Sequence, residues 1–162
     1  MSNNTALASL NSRYNQLTSL DVSNNTALNE LDCFDNQLTS LDVSNNAILT
    51  AFAVRGNYLT SLDVSNNTAL TGFDCGDNQL TTLDVSNNIN LNELECYDNL
   101  LTSLDVTQNT FLTWLECNDN QLINLDLRNG NNTNMNVSLV DNTSLTCIDV
   151  DDDVWAIVNW TV

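Results

Sequence analysis

The string LTSLDVSNN recurs almost unchanged from Leu17, Leu38, Leu59, Leu80 and Leu101, a strict period of 21 residues, with a degenerate copy from Leu122. A fixed period of this length means that each repeat is one structural unit too small to bury its own apolar face, so neighbouring units must stack into a solenoid. The 21-mer is itself double: Leu17, Leu20 and Val22 are answered by Leu28, Leu31 and Cys33, so each half reads LxxLxLxxN. Asparagine closes both halves. One column runs Asn4, Asn25, Asn46, Asn67, Asn88, Asn109 and the other Asn15, Asn36, Asn57, Asn78, Asn99, Asn120. A bend after a short strand leaves backbone groups unpaired inside the coil, and a carboxamide can both donate to and accept from them. Asparagine also tolerates the left-handed backbone that such bends use.

These residues resemble bacterial leucine-rich repeats of the 21-residue, IRREKO-type subclass, with nested LxxLxCxxN and LxxLDLxxN halves. The resemblance covers residues 2 to 127, and the segment from Leu122 onward is similar to the ends of repeat regions in secreted Bacteroidota proteins. It implies a mainly β repeat solenoid of about six to seven coils, with short parallel strands on one or both sides. The solenoid is expected over 1–127, its first coil partial and uncapped, and a degenerate last repeat with a C-terminal cap over 128–162. Asp151, Asp152 and Asp153 ahead of Val154, Trp155, Ile157, Val158 and Trp160 suit the start of a short capping helix or turn. The cluster with Asp149 lacks the glycine and terminal glutamate spacing of a calcium loop. The resemblance further implies a non-catalytic binding or adhesion module of a secreted or cell-surface bacterial protein, with this chain read as a fragment of a larger exported one.

Composition removes most other classes. The 162 residues carry 21 acidic and 3 basic side chains, a formal net charge of -18, and neither histidine, proline nor lysine. Without histidine there is no Ser-His or Cys-His nucleophile system, and without lysine no Schiff base. Carboxylate pairs occur everywhere on such a surface and single out no active site, so no enzyme is expected. The charge repels phosphate backbones and anionic lipids, which speaks against nucleic-acid and membrane partners. Cys33, Cys75, Cys96 and Cys117 share one column with Val54 and Ser12, and Cys147 stands apart toward the cap. A column in which valine replaces cysteine is a core column, and the inter-coil distance is long for a disulfide, so reduced buried thiols are expected.

Two kinds of exposed column could carry function. The first is invariant: Asp21, Asp42, Asp63, Asp84, Asp105 and Asp126, each two residues after a Ser, Thr or Asn. Like charges about 4.8 Å apart repel by about 1 kcal/mol per pair in water-like surroundings. Bound calcium or sodium, raised carboxyl pKa values, or hydrogen bonds from nearby hydroxyls could offset this; equally, the column could be the repeat's preferred strand with its carboxylates solvated. The second kind varies: Ser9, Glu30, Ala51, Gly72, Glu93, Trp114; then Asn11, Asp32, Ala53, Asp74, Glu95, Glu116; then Arg13, Phe34, Arg55, Gly76, Tyr97, Asn118. Nothing in coil stacking demands these changes, so they are either drift on a solvated face or a surface fitted to one partner. Aromatic residues and arginine are favoured interface types, which nominates Phe34, Arg55, Tyr58, Tyr97, Trp114 and Glu116 as a patch for a protein or glycan ligand. Alternatives are an acidic, cation-stiffened spacer built on the aspartate column, and ice binding through Thr18, Thr39, Thr60, Thr81 and Thr102, against which the interleaved aspartates argue. An uncapped first coil exposing Leu7 and Leu10 would favour end-to-end self-association.

Overall fold

A computed structural model describes residues 4–152, and its chain is a parallel β-solenoid. Eight strands come first: β1 Ser9–Asn11, β2 Glu30–Asp32, β3 Ala51–Ala53, β4 Gly72–Asp74, β5 Glu93–Glu95, β6 Ser103–Asp105, β7 Trp114–Glu116 and β8 Asn124–Asp126. A single 3-10 turn at Asn132–Asn134 leads to β9 Asn136–Ser138 and β10 Cys147–Asp149. The varied half-repeats form a seven-stranded sheet ordered β1-β2-β3-β4-β5-β7-β9, all parallel and in register, as in Leu31↔Phe52 and Phe73↔Leu94. The invariant halves pair only at the far end, as a three-stranded sheet β10-β8-β6. Strands therefore occupy both sides of the coil unequally. In the earlier coils the LDVS segments are unpaired, and a crevice of about 250 Å³ opens among Ser61, Asp63, Ser65, Thr82 and Asp84.

Each strand presents one side chain inward and two outward. The inward column Leu10, Leu31, Phe52, Phe73, Leu94, Leu115 is buried, with the Phe52 and Phe73 rings stacked at 5.4 Å. Cys33, Cys75, Cys96 and Cys117 are buried free thiols. Burial pushes the thiols of Cys33 and Cys117 up to about 12, so they pack as small apolar groups. Cys147 is not set apart in a cap: it lies exposed in β10 opposite Asn124, because LTCIDV from Leu145 is a worn copy of LTSLDV.

The two asparagine columns hold the bends as expected, but differently. Asn99 donates to the carbonyls of Cys75 at 3.1 Å and Tyr97 at 3.0 Å and accepts the Leu80 N–H at 2.9 Å. Asn67 donates to the carbonyls of Val43 and Asn46, both at 3.0 Å, while its buried Oδ1 has no hydrogen-bond partner. Both columns run one coil further than the regular spacing shows, to Asn129 and Asn142, where the period shortens by one residue in the first column and lengthens by one in the second. The left-handed residue is not the asparagine but the one before it: Tyr14, Asp35, Gly56, Asp77, Asp98, Asp119 and Asp141 have φ between 50° and 63°. A Cβ at Gly56 would also lie 2.2 Å from Asp35 Oδ1, so glycine is doubly required there.

At the first coil Leu10 is buried and Leu7 half-buried, so the expected apolar end is smaller than the sequence suggests. At the other end Asp151 ties back into the last coil, accepting the Gly130 N–H at 2.7 Å and donating its own N–H to Asn132 Oδ1 at 2.6 Å. The proposed capping segment, with Asp153, Trp155 and Trp160, lies outside the described residues.

Candidate functional site

The invariant aspartates are engaged within their own turns. Asp21 Oδ1 accepts the Ser23 N–H at 3.0 Å and the Ser23 hydroxyl at 2.6 Å, and Asp42, Asp63, Asp84, Asp105 and Asp126 each accept the N–H two residues on. The serines that matter follow the aspartate; those preceding it are not the donors. These bonds hold the carboxyls of Asp21, Asp42, Asp63 and Asp84 below their ordinary value, the opposite of the raised values that repulsion would bring. Arg128 does the same for Asp126. Among the described residues no group of three or more His, Cys, Asp or Glu could hold a metal ion.

The varied sheet face is organised across coils. Phe34 stands at its centre: the Tyr14 ring meets it edge-on at 4.7 Å, and the guanidiniums of Arg13 and Arg55 lie over it at 5.1 Å and 4.8 Å. Arg55 also donates to the Tyr97 hydroxyl at 3.1 Å, two coils away. That reach depends on Gly76, buried between them, where an added Cβ would come within 2.7 Å of the Tyr97 ring. Arg13 pairs with Asp32 at 2.9 Å, and Arg55 approaches Asp74 at 4.0 Å.

Beside this cluster lies a groove of about 260 Å³. Its open floor is Ala51, Ala53 and Gly72; its walls are the carboxylates of Glu30 and Asp32 on one side and Asp74, Glu93 and Glu95 on the other. Burial raises the carboxyl pKa of Asp74, with Asp32 and Glu116 adding to it. Burial likewise raises that of Glu95, followed by the charges of Asp74 and Glu116. The directions thus differ between the faces: Asp21, Asp42, Asp63 and Asp84 are eased into ionisation, whereas Asp74 and Glu95 resist it.

Of the six nominated residues, Phe34, Arg55 and Tyr97 come together. Glu116 and Trp114 share β7 further along the same face, Trp114 being 42% exposed. Tyr58 follows the Asn57 bend and is exposed beyond the sheet. Arg13, Tyr14 and the groove did not stand out in the sequence. The signal for the groove was there as small residues, Ala51 with Gly72 and Ala53, set between Glu30 and Glu93 in one column and between Asp32 and Asp74 in the next.

Solved structures agree with this architecture. An internalin from Listeria monocytogenes superposes with a TM-score of 0.76 at 22% identity over 94% of this chain and 50% of its own. A leucine-rich repeat protein from Leptospira interrogans gives 0.72 at 24% identity, over 82% of this chain and 37% of its own. The fold is that of leucine-rich repeat solenoids. YopM, a leucine-rich effector protein from Yersinia pestis, follows at 0.64 and 23% identity, covering 93% and 48%. This chain spans half or less of the length of each of these leucine-rich repeat proteins. A family model for the LVIVD repeat matches residues 51–72 and 75–99, under a third of the chain. No curated protein sequence matches significantly.

Proposed function

We propose that this solenoid is a protein-recognition module, with the varied seven-stranded face as its contact surface. The observation that carries this reading is the cluster of Phe34, Arg13, Arg55, Tyr14 and Tyr97, drawn from four coils and joined side chain to side chain on the one sheet whose exposed columns change. Rigid aromatics and arginines preassembled on strands lose little conformational freedom when a partner docks. Its resemblance to secreted bacterial repeats and its likeness to internalins support a place on or outside a bacterial cell, as part of a longer protein. No helix of the described residues is long and apolar enough to cross a membrane. The cation-stiffened spacer has less support, because the invariant carboxylates are taken up by turn hydrogen bonds.

Probing arrays of purified proteins and of glycans with the chain and two double variants tests the reading. Phe34→Ser with Trp114→Ser should remove protein binding, whereas Ile48→Ser with Phe111→Ser, exposed apolar residues off the sheet, should not. Binding confined to glycans, or insensitive to the first pair, would overturn it.

A further inference from the structure

The groove narrows the partner's chemistry, an inference that rests on the reading of the varied face as a protein-binding surface. Along the outer column the register is Glu30↔Ala51↔Gly72↔Glu93, so two glutamates about 14 Å apart flank two positions with almost no side chain. Nothing lies within 4 Å of a Cβ added at Gly72, so this space is open. In the next column Ala53 separates Asp32 from Asp74, about 10 Å apart at strand spacing. The floor between these walls is apolar, with Phe52 and Phe73 beneath.

Of the wall carboxylates, Asp32 and Asp74 face arginines, while Glu30, Glu93 and Glu95 have no ion-pair partner among the described residues. Each of its three arginines pairs with an aspartate, and no glutamate of the described residues has an ion-pair partner. Asp32 is only partly committed: Arg13 binds its Oδ2, while its buried Oδ1 has no hydrogen-bond partner. A bare metal ion does not suit the groove, because its carboxylates do not gather in threes. What fits acidic walls over an apolar floor is a side chain with an aliphatic stem and a cationic head. Arginine fits better than lysine, since its planar fork can meet carboxylates on two sides. The face already displays this mode internally, where Arg13 and Arg55 lie over Phe34 and turn toward Asp32 and Asp74.

We infer that the groove over Ala51 and Gly72 receives an arginine side chain from a basic segment of the partner protein. Its stem lies on the small-residue floor and its guanidinium is held by Glu93 and Glu95 with the facing carboxylates. Gly72 and Ala51 are then specificity residues by virtue of their smallness.

The test uses fluorescein-labelled peptides of about ten residues carrying two arginines in a Gly/Ser/Ala frame, with citrulline versions as neutral isosteres, read by fluorescence anisotropy. The arginine peptides should bind about tenfold tighter than the citrulline ones. Gly72→Trp, which fills the groove, should weaken them by about tenfold, and Glu93→Gln with Glu95→Gln by a similar factor. Asp42→Asn with Asp63→Asn removes the same charge from the opposite side and should leave affinity within about twofold. Melting curves establish that each variant is folded; should Gly72→Trp fail to fold, the glutamine pair decides. Equal binding of citrulline peptides, absence of arginine-peptide binding, or equal loss from both charge-removing pairs would overturn the inference. Peptides that bind regardless of charge yet are lost with Phe34→Ser would overturn the arginine groove alone and leave protein recognition standing. Protein arrays blank at the varied face would remove both.

Discussion

Asn99 and Asn67 occupy matching corners of the coil, but only Asn99 uses both ends of its amide. Asn99→Ala leaves the buried Leu80 N–H without a partner and takes one of the donors from the carbonyls of Cys75, Cys96 and Tyr97, and should cost about 3 kcal/mol; Asn67→Ala takes one donor from the carbonyls of Val43 and Asn46, which still accept backbone N–H groups, strands no N–H, and should cost at least about 1 kcal/mol less. Urea unfolding of the two variants checks the order. The asparagine columns were legible in the sequence because a strict period makes them visible, and an amide carried into every coil must be serving backbone groups there. The aspartates were legible as a column but not in their role, since the sequence does not say whether the hydroxyl before or after the carboxylate reaches it. That role has a pH consequence. A carboxyl whose folded pKa is depressed contributes stability that is complete above its unfolded value and disappears as the pH falls through the folded one. Ser23→Ala should therefore raise the Asp21 pKa toward 3.8, followed by carboxyl NMR titration, and narrow the acid range over which the fold persists.

At the scale of the strands, the varied and invariant halves share a sequence skeleton but not a structure. Three-residue strands on the varied side pair in register through seven coils, whereas the invariant side pairs only from β6 onward. The repeat pattern predicts both sides equally well, because inward leucines recur in both halves; which side forms the continuous ladder is decided by backbone pairing between coils, which no single repeat encodes. Two glycines in neighbouring columns of β4 and its exit should behave oppositely. Gly76→Ala drives a Cβ into the Tyr97 ring, breaks the bond to Arg55 and should cost about 1–2 kcal/mol. Gly72→Ala meets nothing and should stay within about 0.5 kcal/mol of the parent. Denaturant midpoints at unchanged slope separate them. The groove was harder to see than the aromatics, since a hollow made by missing side chains is read only once the columns are stacked.

For the whole molecule, a net charge of -18 makes any added salt stabilising. Millimolar calcium and sodium chloride at matched ionic strength should then raise the melting temperature alike over EDTA. A larger shift with calcium would assign the aspartate column a specific ion-binding role. The solenoid, its period and its reduced cysteines were legible from one sequence, since they follow from stacking alone. Which residues meet across coils was not, because contacts such as Arg55 to Tyr97 depend on the glycine between them. On the proposed reading the two faces divide the labour, one holding the turns and the other meeting a partner, and the most direct measurement of that division is an amide NMR map of the folded chain titrated with the arginine peptide. The predicted result is shifts confined to 30–34, 51–55, 72–76 and 93–97, with the amides around Asp21, Asp42, Asp63 and Asp84 unmoved. Shifts centred on those aspartates would contradict it.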